Sequence, residues 1–301
     1  MKVNPVYKRE ITVNSRSIRL PLILMVFNGI LALVALLNMY SMTAQVEMTA
    51  EIQYGSFLEL YAFASGIEFV MILMVVPALT AGSISGERER QTLELLLSTQ
   101  AGGGEIVAGK LMASMHSVIL LLISSFPVMT LSFAYGGIHL EDLLFLFLHF
   151  LAVALLAASI GIFFSALCRK TTTATALSYG TITMLVGGTF GINQFIWSMA
   201  NMGSSGYLIQ VGGLGSQVNS GGFLYLLLLN PAVAFYQIIR SQTENQDNIA
   251  SVIQWFGNRP SNLVLDNWIL VSHVLWVAAS ALLLAAAVKR LSPRGRRWRG
   301  K

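Results

Sequence analysis

Five apolar runs, Leu20–Asn38, Leu60–Ala81, Leu111–Leu131, Leu143–Leu167 and Trp268–Val288, dominate this chain. Each approaches or exceeds the roughly 20 residues with which a helix crosses a hydrocarbon core about 30 Å thick. In lipid every backbone N–H and C=O must be satisfied inside its own segment, so such runs fold as helices. Composition agrees: 55% of the residues are hydrophobic and 11% charged, against about 25% charged in soluble domains. The fold class is an all-α integral membrane protein. The first run follows a long polar lead and precedes no small-residue cleavage pattern, so it reads as a membrane helix and not a leader.

Two further segments are ambiguous by length. Thr173–Phe190 is rich in Thr and Gly, and Gly187-x-x-x-Gly191 at its end admits close approach of another helix. Gly222–Ile239 has the length of a short span but carries Asn230-Pro231 at its middle. Basic residues decide between them, because short cytoplasmic loops collect Lys and Arg. Six spans, with Thr173–Phe190 as the fifth and the N-terminus cytoplasmic, put every Lys and Arg except Arg240 and Arg259 on the cytoplasmic side. A seventh span over 222–239 would move the basic tail 289–301 outside. Gly222–Ile239 is therefore expected to be a re-entrant helix pair that dips into the outer leaflet, broken where proline removes a backbone donor.

The resulting layout is a single transmembrane domain over 1–301. It has a cytoplasmic interfacial helix (1–19), a cytoplasmic loop (82–109), an outer segment (191–267) and a basic cytoplasmic tail (289–301). The net charge of +5 follows from the cytoplasmic loops and tail, so nucleic acid is not expected as a partner. Cys168 is the only cysteine, which rules out an intrachain disulfide and a cysteine-based metal cluster.

The loop opens with GERERQTLELLLS, residues 86–98, a charge cluster running into leucines. On a helix Leu93, Leu96 and Leu97 form one stripe, while Glu87, Arg90, Glu94 and Ser98 follow on another face, where Glu87 with Arg90 and Arg90 with Glu94 can pair. The spacing predicts a short amphipathic helix ended by Gly102–Gly104. Physically it suits either the lipid headgroups or a soluble partner. The N-terminal stretch has a similar form, with Val3, Val6, Tyr7 and Ile11 on one face and Lys8, Arg9 and Arg16 available to lipid phosphates.

Ionisable groups inside spans are costly and usually face protein or water. Counting at 1.5 Å per residue from the cytoplasmic ends places Glu68, His149 and His273 in one layer, roughly 24 to 28 Å deep. A pathway or gate using these three, with Asn230 and Pro231 of the broken pair, is the expectation. His and carboxylate can hold zinc, so an intramembrane metal-dependent enzyme is one alternative and a scaffold without transport another. No spacing motif supports a metal, and none is expected. No G-x-x-x-x-G-K-[ST] phosphate loop occurs, so the chain is not expected to hydrolyse ATP itself.

Three stretches, NPVYKRE before the first span, GERERQTLELLLSTQAGGGEIVAGKLMA, and LLLLNPAVAFY before the last span, resemble the permease subunits of type 2 ATP-binding-cassette exporters. Glu87, Arg88, Glu89, Thr92, Leu93, Glu94, Glu105, Ile106, Val107, Gly109 and Lys110 match the family's loop; Gln91 stands where the family often has Gly, and Gln100 where it often has Pro. The resemblance implies that the loop is a coupling helix. Its Glu87, Arg88, Glu89, Arg90, Thr92, Leu93, Glu94, Leu96 and Leu97 would then dock on a cytoplasmic ATPase subunit. It also implies a plasma-membrane assembly of two permeases, identical or related, with two ATPases. ATP and magnesium would bind the partner, and this chain would need no cofactor.

Overall fold

A computed structural model describes residues 4–49, 55–93, 102–136, 138–205, 220–244, 255–256 and 262–291. All regular structure among them is helical. The elements are α1 (Pro5–Arg16), α2 (Arg19–Thr49), α3 (Gly55–Thr80), α4 (Ser85–Glu89), α5 (Gly103–Gly136), α6 (Leu140–Leu167) and α7 (Thr171–Thr183). A π-turn (Met184–Gly188), α8 (Thr189–Ser205), a 3-10 helix (Gly221–Leu229), α9 (Pro231–Glu244), α10 (Leu263–Asp266) and α11 (Trp268–Leu291) complete the chain. Among the described residues five helices, α2, α3, α5, α6 and α11, are long and apolar enough to cross a membrane, and the bent pair Gly221–Leu229 with Pro231–Thr243 raises the number to six if it is one span.

Two boundaries differ from the sequence expectation. Only Gly102 of the glycine run lies in the loop: α5 starts at Gly103, so Gly104, Glu105, Ile106, Val107 and Gly109 belong to its first turns. Helical backbone also continues beyond Phe190 to Ser205. Hydrophobic length marks where a helix can sit in lipid, while the helix itself runs on as long as backbone bonds propagate.

The chain forms two compact units, one of residues up to Tyr179 with those from Ala278 onward, the other Gly180–Val277. In the first, α3 packs against α2, α5 and α6, and α1 lies along α5. Phe27, Leu31, Tyr61, Ile72, Val76, Leu122 and Phe150 are fully buried there. In their most apolar stretches α6 is 61% buried but α2 only 17%, so α6 is an inner helix and α2 presents Leu22, Met25, Leu33 and Leu36 outward. Lipid accepts that apolar face at no cost, which leaves close packing to decide which helices meet.

Two glycines set the closest approaches. A Cβ on Gly161 of α6 would overlap the Thr80 hydroxyl and lie 3.2 Å from the Ala81 nitrogen of the α3 end. A Cβ on Gly109 of α5 would lie 2.8 Å from Val6 Cβ and 3.0 Å from the Tyr7 nitrogen. The N-terminal helix therefore rests its Val6 face on α5. Asn4 begins that helix, its Oδ1 accepting from Val6 N at 2.9 Å and its Nδ2 donating to the Glu105 carbonyl at 2.8 Å, with Pro5 at the first turn where its missing N–H costs nothing. Lys8, Arg9 and Arg16 stay exposed, and Val3 lies outside the described residues.

The second unit holds the broken pair, whose axes bend by 85° at Asn230. The break is satisfied by protein. Asn230 Oδ1 accepts from Ala232 N at 2.9 Å and caps α9. Its Nδ2 donates to the Val186 carbonyl in the π-turn at 2.7 Å and lies 2.9 Å from the Thr189 hydroxyl. Trp276 Nε1 donates to the Leu228 carbonyl at 3.0 Å. Leu224, Leu227, Leu228, Val233, Phe256, Leu265 and Trp268 pack beneath these bonds.

Candidate functional site

The turn after α3 is built from the inside. Ile84 N and Ser85 N donate to Ser165 Oγ of α6 at 2.8 and 2.9 Å, which satisfies amides ahead of α4 that the short helix leaves without an internal acceptor. Ile84 and Leu93 enter an apolar cluster with Val107, Ile162, Ala166, Ala287 and Leu291. The loop is thus held to α5, α6 and the C-terminal end of α11 by burial.

The charged residues of the loop then divide by direction. Glu87 meets Lys110 Nζ of α5 at 3.1 Å, and the same ammonium holds Glu10 of α1 at 3.0 Å; Arg9 stands 3.6 Å from Glu87. The Lys110 side chain is only 3% exposed. Arg88 donates to the Cys168 and Ala166 carbonyls at the C-terminal end of α6, at 2.6 and 3.2 Å. Glu89 accepts from the Thr171 backbone N–H at 3.1 Å and from its hydroxyl at 2.8 Å, at the N-terminal end of α7. Helical spacing suggested a pair between Glu87 and Arg90. The observed partners are instead residues of other helices, because α4 ends at Glu89.

What ends it is Gln91, which adopts φ 59°, the left-handed region. Thr92 then folds back, its N–H donating to the Glu87 carbonyl at 2.9 Å. Arg90, Gln91 and Thr92 are exposed, and Leu93 is buried. Glu94, Leu96 and Leu97 lie outside the described residues. The left-handed φ explains why glycine suits this position, since a Cβ there costs about 1 kcal/mol or more. Gln91→Gly is expected to stabilise the protein by roughly 0.5–1 kcal/mol, the relief being partly offset by added freedom of the unfolded chain. Thermal unfolding of purified protein checks this, and an unchanged or lower midpoint contradicts it.

Lys110 also closes the sequence Gly104-x-x-x-x-Gly109-Lys110, which has the spacing of a phosphate loop but continues with Leu111. These residues are helical and the ammonium is engaged by two carboxylates.

The intramembrane groups fall in both units. Glu68 of α3 is buried, with Ser125 Oγ of α5 at 2.6 Å; that hydroxyl also faces the Leu122 carbonyl at 2.8 Å, so its single proton serves two acceptors. A cavity of ≈ 20 Å³ beside them, bounded by Phe126, Met129, Leu143 and Phe147, has room for about one water. His149 is fully buried on α6, its ring 6.5 Å from that of Phe69 and 6.1 Å from Phe150. His273, Asn230 and Pro231 belong to the other unit, where His273 Nδ1 lies 2.6 Å from the Ile269 carbonyl of its own helix and its ring 5.1 Å from Trp276. Among the described residues no three His, Cys, Asp or Glu side chains are grouped so as to hold a metal ion.

Sequence reasoning missed Ser165, Thr171, Thr189, Trp276 and Gly161. Each sits in an apolar or Thr-rich run with no local period to single it out, and each acts on a residue at least 41 positions away.

Residues 5–290 match a family model described as ABC-2 family transporter protein. No curated protein matches the chain.

Proposed function

From the premise that this chain belongs to the ABC-2 family of transporter proteins, we propose that it is an export permease whose loop after α3 receives the motion of a cytoplasmic ATPase. Membership makes it a multi-pass membrane subunit of an ATP-binding-cassette transporter, the component that associates with ATPase subunits. In the proposed assembly it pairs with a second permease, identical or related, in the plasma membrane. It crosses six times with both termini cytoplasmic, and the pair bent at Asn230 enters and leaves the outer leaflet. Glu68 and His149 of one unit, and separately His273, Asn230 and Pro231 of the other, are the groups proposed to line or gate the path. ATP and magnesium belong to the ATPase.

The observation that carries this reading is the construction of the loop. It is seated by buried Ile84 and Leu93 on α5, α6 and the end of α11, while Arg90, Gln91 and Thr92 project from it. A rigidly based, outwardly polar element is what a soluble partner needs in order to push on membrane helices. Co-expression with the cognate ATPase tests it. The two are expected to copurify, and Arg90→Glu is expected to weaken capture by about tenfold, the equivalent of 1.4 kcal/mol. Undiminished capture by that variant removes the docking role of this face.

A further inference from the structure

The docking reading says where a partner touches the loop; it does not say how a push there reaches the spans. Three consecutive residues supply a route. Glu87 is tied to α5 and α1 through Lys110, Arg88 to the last carbonyls of α6, and Glu89 to the first amide and hydroxyl of α7.

The signs of charge fit these ends. Carbonyls left over at a helix C-terminus attract a cation, and amides left over at an N-terminus attract an anion. Arg88 and Glu89, adjacent in sequence, meet the two ends that flank the short turn Cys168–Lys170. The turn between α6 and α7 is thereby fastened to the loop after α3. Packing supports the seam: the Thr171 methyl sits 3.5 Å from where a Cβ on Gly86 would be. Glu87 and Arg88 are thereby turned inward, and Glu89, though on the surface, has both carboxylate oxygens engaged by Thr171. Arg90 and Gln91 next to them make no such ties among the described residues and are exposed.

We infer that Glu87, Arg88 and Glu89 are positioning residues forming a clamp that delivers movement of the loop at once to α5, α6 and α7, while the partner itself is met by the residues that follow. This rests on the docking reading, and the two fail separately in the following experiment.

An environment-sensitive fluorophore is placed at Thr172→Cys, exposed on the first turn of α7, in a Cys168→Ser background. The chain is reconstituted in nanodiscs with the cognate ATPase, and emission is followed on adding ATP. The unmutated clamp is expected to give an ATP-dependent shift. Arg88→Met and Glu89→Ala are expected to lose most of that shift while still binding the ATPase, and Arg88→Lys, which keeps a cation at the α6 carbonyls, is expected to restore it. Because Glu89 lies on the surface, its alanine variant folds even where Arg88→Met does not. A full shift in Glu89→Ala and Arg88→Met overturns the inference. So does loss of ATPase binding in both, which would put these side chains at the partner interface. No shift in the unmutated clamp with ATPase bound overturns the inference and leaves docking intact; no ATPase binding at all overturns docking, and the clamp's role with it.

Discussion

Gly161→Ala will lower stability by about 2 kcal/mol, although alanine is ordinarily the better helix former by about 1 kcal/mol. The added Cβ falls on the Thr80 hydroxyl and within 2.9 Å of Thr80 Cβ, and the neighbouring Ala81 nitrogen, 3.2 Å away, is backbone that cannot rotate aside. The helices α3 and α6 must separate to admit it. In lipid no hydrophobic force draws helices back together, so lost van der Waals contact is lost outright. Thr80 sits one residue before Ala81 and Gly82, where α3 passes into the loop, so separation there also displaces Ile84 and Ser85 from Ser165. A lowered melting midpoint in detergent, partly rescued by adding Thr80→Gly, is the expected outcome. A midpoint equal to that of the parent protein would show that the two helices do not touch at this point.

Lys110→Met has the other large effect. It leaves Glu10 and Glu87, both mostly buried, without their shared ammonium and with the exposed Arg9 near Glu87. Breaking one partner out of a buried ionic group typically costs about 3 kcal/mol or more, whereas replacing all members by neutral residues costs little. Lys110→Met is therefore expected to release α1 from α5, so that the loosened helix is cleaved by trypsin at Arg9 and Arg16. The triple variant with Glu10→Gln and Glu87→Gln is expected to regain most of the stability. Equal trypsin resistance of Lys110→Met and the parent would show that the Val6–Gly109 contact alone holds the helix.

The membrane helices were legible because the demand a bilayer makes is local. A helix satisfies its own backbone, so length and apolarity suffice to find α2, α3, α5, α6 and α11. Asn230-Pro231 was legible for the same reason, as a backbone interruption written into two adjacent residues. The N-terminal helix announced itself by the period of Val6, Tyr7 and Ile11.

The loop was legible in position and not in geometry. Its residues carry the family likeness that the match over 5–290 then shows, and Gln91 was singled out for standing where glycine is common, which the left-handed φ of 59° explains. Yet helical spacing paired Glu87 with Arg90, neighbours on an ideal helix, and the helix stops before that pairing can form. An exposed pair within one helix is worth a few tenths of a kcal/mol, too little to hold α4 together against a turn that brings Leu93 into an apolar cluster.

By itself, then, the sequence determined five segments long and apolar enough to cross a membrane, where the pair at Asn230-Pro231 breaks and which loop carries the charges, while Thr173–Phe190, expected as a further span, is not among the candidate spans of the described residues. The fold alone decided whom those charges meet. Lys110 reaches Glu10 across 100 positions, Arg88 reaches Cys168 across 80, and Asn230 reaches Val186 across 44. Such partners are chosen by how closely helices pack, through glycines such as Gly109 and Gly161, and close approach between helices leaves no period in either helix from which it could be read.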